Sequence, residues 1–289
     1  MRNPIPTIWQ YKWTVLKKIG LAFAIMILAI VGYAIYDYGF KASDTAMLDE
    51  YSAYEDYDCS VLGINLHGSL LTYIPPNNDE DFLSDSDVTA SEDVLYLIRQ
   101  ANEDDDIKAI LLEVDSPGGL PVAGEEIANA LKQSSKPTVG LIRQTGTSAA
   151  YWAVSGADHI FASKNSDVGS IGVTLSYLEN VGKNQKEGSD YVQLSVGKYK
   201  DAGDPDKPLT EEERQLFLRD LKIVHENFIA DIATNRDIPV ADVQKIADGS
   251  SVLGDQAKQL HLIDDIGGIS EVEKYLEGII GEKPEVCWY

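Results

Sequence analysis

Ile107-Lys-Ala-Ile-Leu-Leu-Glu-Val114 is a near-continuous apolar run of strand length. A strand that reads this way, without polar alternation, belongs in a sheet covered on both faces. Upstream, Ser60 to Leu66 begins a strand, and Ser91 to Ile98 reads as a capped helix. Downstream come a helix at about Val122 to Gln133, a strand at Thr138 to Ile142, a helix at about Ser148 to Ser155 and a short strand at His159 to Ala162. This alternation predicts an α/β fold, a largely parallel sheet with flanking helices. Past Gly172 the pattern changes. Val173 to Leu178 and Tyr191 to Tyr199 look like strands. Thr210-Glu-Glu-Glu213 is a capping box that opens a long helix to about Asn235. Helices near Val240 to Ala247, Asp255 to Leu260 and Ser270 to Gly281 finish the pattern.

The chain before this domain has a different character. Ile19 to Tyr36 carries no charge and is just long enough to cross about 30 Å of hydrocarbon as a helix. Trp9, Tyr11 and Trp13 flank one end; Tyr33, Tyr36 and Tyr38 flank the other, as in an aromatic belt. Arg2, Lys12, Lys17 and Lys18 precede the span, and no acid occurs before Asp37. The positive-inside rule then puts the N-terminus in the cytoplasm and the remainder outside. A cleaved signal peptide would have a shorter apolar region and a small-residue exit, and Tyr-Ala-Ile-Tyr-Asp-Tyr38 is a poor one. The expected organisation is a cytoplasmic segment (1–18), a single transmembrane anchor (19–36), an acidic stalk (37–58), a main folded domain (59–281) and a tail (282–289). Pro75 to Asp87, rich in acids, reads as a solvated loop.

Net charge is −23, with 47 acidic and 24 basic residues, which argues against a nucleic-acid partner. The two cysteines, Cys59 and Cys287, make no disulfide framework. One bridge between them and two free thiols are both open readings. No HExxH, paired-cysteine or clustered-histidine signature is present, so neither a metal nor a cofactor is expected.

Three short segments carry chemistry together that none carries alone. Val114-Asp-Ser-Pro-Gly-Gly119 follows the buried strand directly. Glycines there let backbone N–H groups approach a ligand, but a Pro-Gly turn is the plainer reading. Ser148 stands where a strand passes into a helix; simple helix capping would explain it equally. Lys198 and Lys200 end an apolar run, lie on one face by strand alternation, and could be ordinary edge lysines. In combination they are the parts of a Ser-Lys peptidase. A lysine can take the serine's proton only if it is neutral and close, and glycine amides can hold the oxyanion that forms. A histidine base is the rival. Of His67, His159, His225 and His261, His159 reads as packed in a strand and His225 as sitting on a helix surface. None has the context of a triad base.

Five blocks in order give these residues a family. They are D-S-P-G-G at 115–119, S-A-A-Y-W at 148–152, G-S-I-G-V at 169–173, K-Y-K-D at 198–201 and the run Ile246 to Asp264. From about Ser60 to Gly268 the chain resembles the signal peptide peptidase A family, membrane-anchored Ser-Lys peptidases related in fold to Clp protease and the crotonases. The resemblance implies Ser148 as nucleophile and Lys200, the lysine of the K-D pair, as general base. It implies an oxyanion hole from the N–H groups of Gly119 and Ala149. Ser170 would orient the lysine amine, and with Gly169 would line the substrate groove. The family usually has Gly-Gly after the serine; Ala149-Ala150 would narrow the groove. Members form dome-like rings whose sites take serine and lysine from different catalytic units. A single unit of this kind therefore implies a homo-oligomer. The family's role implies apolar signal-peptide remnants as substrates, met outside the cytoplasm. Alternatives are a related membrane peptidase that cuts one specific membrane protein, a non-catalytic scaffold, and crotonase-type acyl-CoA chemistry, which an outward-facing domain disfavours.

Overall fold

The computed structural model describes residues 59–74 and 88–289, with Val31 alone before them. The expected anchor and stalk, and the acidic loop at 75–87, lie outside the described residues. Among those described, no helix is long and apolar enough to cross a membrane.

The elements run β1 (Val61–Leu71), β2 (Val88–Ala90), α1 (Ser91–Glu103), β3 (Ala109–Gly119), α2 (Pro121–Lys132), β4 (Thr138–Thr147), α3 (Ala149–Val154), β5 (His159–Ala162) and β6 (Asp167–Gly169). Then come α4 (Val181–Glu187), α5 (Glu211–Asn235), α6 (Val240–Ile246), β7 (Ser251–Leu253), α7 (Gly254–Gln259), β8 (Asp265–Ile266), α8 (Ile269–Ile280) and β9 (Val286–Trp288). The main sheet has the order β2-β1-β3-β4-β5-β8, with β6 against β4, β7 against β6 and β9 against β1. Every pair is parallel except β6 with β7.

Burial explains the apolar run that marks β3. On one face Val61, Ala109, Leu111, Val139 and Leu141 pack with Phe161 against Val272 and Leu276 of α8. The alternate residues, Leu62, Ile64, Ile110 and Leu112, are also buried. The parallel sheet therefore has no wet face along these strands, as the sequence pattern requires.

The sheet turns a corner near the C-terminal ends of β3 and β4. Register runs Val114↔Ile142 and resumes at Ser116↔Gly146, so a step of two residues on β3 meets a step of four on β4. A matching irregularity in β1 lies between His67 and Ser69. Beyond the corner, Thr145 to Thr147 pair with Asp167 to Gly169 of β6. The corner is a bulge, which bends a strand and re-aims the residues beyond it.

Several expectations need correction. Ser91 lies inside α1 and Ala90 is the N-cap; the serine hydroxyl instead donates to Glu126 Oε2 at 2.6 Å. Val173 to Leu178 and Tyr191 to Tyr199 form no strand. Val192, Leu194 and Val196 are 73%, 93% and 98% exposed, so the period-2 pattern has nothing in the described chain to bury against. A strand without a partner's backbone has no ladder to make. The expected tail at 282–289 contains β9, which pairs Val286, Cys287 and Trp288 with Val61, Leu62 and Gly63. Cys287 there joins Cys59 in a disulfide. The capping box at Thr210 is formed in full, with Glu213 reaching back to the Thr210 N–H.

Candidate active site

Ser148 occupies the sharp passage from β4 into α3. Its φ of 54° and ψ of −129° lie outside the regions a non-glycine residue ordinarily takes. Its own N–H donates to the Gly169 carbonyl at 2.7 Å, and its carbonyl accepts from Trp152 N–H at 3.0 Å. By position it is the N-cap of α3, yet its side chain makes no cap hydrogen bond. The plain capping reading therefore fails: the hydroxyl is not spent on the helix.

The D-S-P-G-G block comes up against this turn. Gly118 has φ 104°, and a Cβ placed on it would stand 2.8 Å from Ser148 Cβ. A Cβ on Gly119 would overlap the Leu70 backbone. Both positions exclude a side chain, one by conformation and both by space. Ser116, fully buried, donates from Oγ to the Gly68 carbonyl and accepts the Gly118 N–H at 3.0 Å. The glycine pair is thus more than a loose turn: its path is fixed from both sides.

Gly119, Ser148, Ala149 and Ser170 all line one cleft of 580 Å³. Ala149 is the first residue of α3, where an N–H has no acceptor within the helix. Ser170, at φ 51°, donates its hydroxyl to the Gly249 carbonyl at 2.8 Å. Gly169, at φ 93°, lies behind the cleft, holding the Ser148 N–H. The opposite wall comes from α5. Leu218, Leu221, His225 and Phe228 recur at helical spacing and face the serine side. Phe228 stacks on Trp152 with centroids 4.4 Å apart, and Trp152 Nε1 donates to Asp231 at 3.0 Å. The cleft is therefore mixed in lining, with buried Trp152 and Phe228 beside Leu221, and with Lys222 and Asp248 among its charged residues.

His225 corrects the sequence reading. It is part-buried in this cleft, and its Nε2 has no partner among the described residues. Its immediate neighbours Lys222 and Glu226 suggested a surface residue. The signal that could have placed it was the i−7, i−4 and i+3 set, Leu218, Leu221 and Phe228. His159, by contrast, packs as expected, stacked on Tyr275 and hydrogen-bonded to Asp265 at 3.2 Å. Among the described residues no cluster of metal-binding side chains occurs.

The two lysines are not in the cleft of their own chain. Both are exposed. Lys198 is paired with Glu212 at 2.8 Å, and that hydrogen bond is the main cause of its raised pKa. An ammonium held this way is a poor proton acceptor. Lys200 sits two residues on, in a turn where its N–H donates to the Gly197 carbonyl at 3.1 Å. The carboxylate of the adjacent Asp201 is engaged by the Tyr191 hydroxyl at 2.7 Å.

A serine on a strained strand-to-helix turn, with backbone donors across from it, is the layout of a nucleophilic hydrolase. The chain belongs to peptidase family S49, whose model matches residues 130–279. It is 34% identical over 198 residues to a protease-family protein of Methanocaldococcus jannaschii, covering 68% of this chain and 64% of that one. It is 31% identical to a signal peptide peptidase SppA-type protein of Enterococcus faecium, covering 61% and 52%. It is 26% identical to protease 4 of Haemophilus influenzae, covering 78% of this chain and 35% of that one. The chain therefore spans between about one third and two thirds of the length of these relatives. Among solved structures, a ClpP1 mutant from Listeria monocytogenes aligns at a TM-score of 0.45 and 14% identity, covering 71% of this chain and 91% of that one.

Proposed function

We propose that this protein is a membrane-anchored serine endopeptidase with a Ser-Lys dyad. Ser148 is the nucleophile, and the N–H groups of Gly119 and Ala149 receive the oxyanion. The observation that carries this reading is the Ser148 turn: a strained serine, its hydroxyl unused by the helix it caps, beside a glycine pair that excludes side chains. Strain of this kind persists only where the surroundings enforce it, and it clusters at reactive centres.

Lys200 is the general base, supplied by a neighbouring copy. Its absence from its own cleft supports this, as does the row of exposed apolar residues that leads to it, Val192, Leu194 and Val196. Seated on a second copy, that row gains both burial and a backbone partner. Ser170 lines the groove and is placed to meet the incoming amine. The neutral amine takes the Ser148 proton as Oγ attacks the scissile carbonyl, and passes it to the leaving amine as the C–N bond breaks. Water, deprotonated by the same amine, then releases the acyl group and returns the proton to Oγ.

The apolar part of the cleft lining, Trp152, Phe228 and Leu221, suits hydrophobic peptides; we assign remnant signal peptides as the substrate class. The charge step around residues 19–36 supports a domain outside the cytoplasm. The disulfide supports an oxidising compartment. Cleavage of a hydrophobic peptide by the 289-residue chain, set against Ser148→Ala, is the test. Loss by several orders of magnitude with an unchanged circular dichroism spectrum is expected. Wild-type turnover in the variant would remove Ser148 as the nucleophile, and a wild-type chain that cleaves nothing would favour a non-catalytic scaffold. Protease added to intact cells tests the topology. It should remove the domain, and protection until the membrane is permeabilised would overturn that orientation.

A further inference from the structure

Two carboxylates at the corner of the sheet have no part in the reaction just described. Glu113 and Asp115 are two apart on β3 and so share a face. Each reaches across to β4 inside the bulge. Arg143 Nη1 donates to Glu113 Oε2 at 2.8 Å, and His67 Nε2 lies 3.2 Å from Glu113 Oε1. The Thr145 backbone N–H donates to Asp115 Oδ1 at 3.1 Å. These contacts fall where the β3–β4 ladder is interrupted, between Val114↔Ile142 and Ser116↔Gly146. A strand leaving its ladder needs other acceptors for its N–H groups, and Asp115 supplies one.

Three residues after Thr145 comes Ser148. Between them, Thr147 Oγ1 donates to the Pro117 carbonyl at 3.2 Å. The path from the Asp115 carboxylate to the nucleophile is therefore short and bridged to the glycine loop. On the other side, the next residue, Ser116, holds the Gly118 N–H. One dipeptide thus fixes both partners of the reaction, the serine turn through Asp115 and the glycine pair through Ser116.

We propose that Asp115 is a positioning residue for Ser148, acting through the Thr145 N–H to set how far the nucleophile stands from Gly119. This rests on the assignment of Ser148 as nucleophile. Asp115 is exposed. Water can replace a lost hydrogen bond there, so folding stability changes little. Water does not fix the path of the strand, and a displacement of about 1 Å at a reacting centre costs up to roughly a hundredfold in rate.

The role needs an acceptor at Oδ1 and no charge. Asp115→Ala should lower kcat roughly tenfold to a hundredfold with KM unchanged, and slow fluorophosphonate labelling of Ser148 by the same factor. Asp115→Asn keeps the acceptor and should recover most of both rates. Melting temperatures should stay close across the series. Should Asp115→Ala fail to fold, Asp115→Ser, too short to reach Thr145, takes its place with the same expectation. Wild-type kcat in the Ala or Ser variant overturns the proposal, as does Asp115→Asn that is as slow as Asp115→Ala. Failure of the nucleophile assignment looks different: Ser148→Ala would then remain active whatever the Asp115 series shows.

Discussion

The Ser148 N–H donates to the Gly169 carbonyl at 2.7 Å, tying the Ser148 turn to the end of β6. Both residues have positive φ, as does Ser170 beside them. The strained Ser148 turn is thus held by one hydrogen bond to the positive-φ pair Gly169-Ser170.

That strain is measurable. Ser148→Gly and Ser148→Ala should both be inactive, yet differ in stability. Glycine relieves a strain of about 1–3 kcal/mol, which exceeds the roughly 0.4–1 kcal/mol it loses in chain entropy. The glycine variant should therefore melt higher than the alanine variant. Equal or reversed melting temperatures would show that the turn is unstrained.

The lysine assignment separates two neighbours. Lys198 is held by Glu212, and among the described residues Lys200 makes no ion pair. Lys198→Ala should keep most activity. Lys200→Arg should lose it, because a guanidinium cannot accept the serine proton. Retained cleavage in Lys200→Arg together with loss in Lys198→Ala would reverse the assignment.

Sharing of sites between copies makes a distinct prediction. Ser148→Ala and Lys200→Ala chains, each inactive alone, should recover a fraction of wild-type activity when co-assembled, since some interfaces pair an intact serine with an intact lysine. No recovery in verified mixed assemblies, or full activity in an isolated monomer, counts against it.

The Cys59–Cys287 bridge closes a loop with a sequence separation of 228. Removing it by Cys59→Ser with Cys287→Ser should cost about 2–4 kcal/mol of stability. Thermal melts with and without reductant would show this, and a wild-type melt indifferent to reductant would refute it.

Acid stability has a local contributor at the head of α5. Lys207 hydrogen-bonds Glu213, and with the Thr210 N–H it lowers the carboxyl pKa to about 2. A depressed carboxyl stabilises the fold fully above its ordinary value near 4.5, and that contribution is lost as pH falls towards 2. The stability gap between wild type and Glu213→Gln should therefore be largest above pH 4.5 and close on acidification. A gap constant from pH 6 to about 2.5 would contradict the linkage.

Periodicity and caps made much of the fold legible. The alternation from Val61 to Ala162 and the box at Thr210 are local patterns whose outcomes depend little on distant residues. Three features lay beyond such reading. β9 is three residues long, too short for any period, and exists because β1 offers an edge. Val192, Leu194 and Val196 alternate as a strand would, but strand formation depends on a partner that the described chain lacks. His225 was misplaced because Lys222, Glu226 and Asn227 read as a polar surface, while Leu221 and Phe228, four and three residues away, share its face of the helix. Gly119, Ser148, Ala149 and Ser170, which line one cleft, each stood in a motif. What no motif carried was the corner in β4, since two extra residues in a ladder leave no mark on composition.

The position of β9 has a further consequence. The Tyr289 N–H donates to the Gly63 carbonyl and Asn65 N–H to the Tyr289 carbonyl, both at 2.9 Å, so the last residue is knitted to the first strand. With Cys287 bonded to Cys59, the domain is topologically a closed ring. A single backbone cut anywhere between those cysteines opens the ring without releasing a fragment. A nicked molecule would gain only the mass of one water, and in denaturant its two halves would part only when reductant is also present.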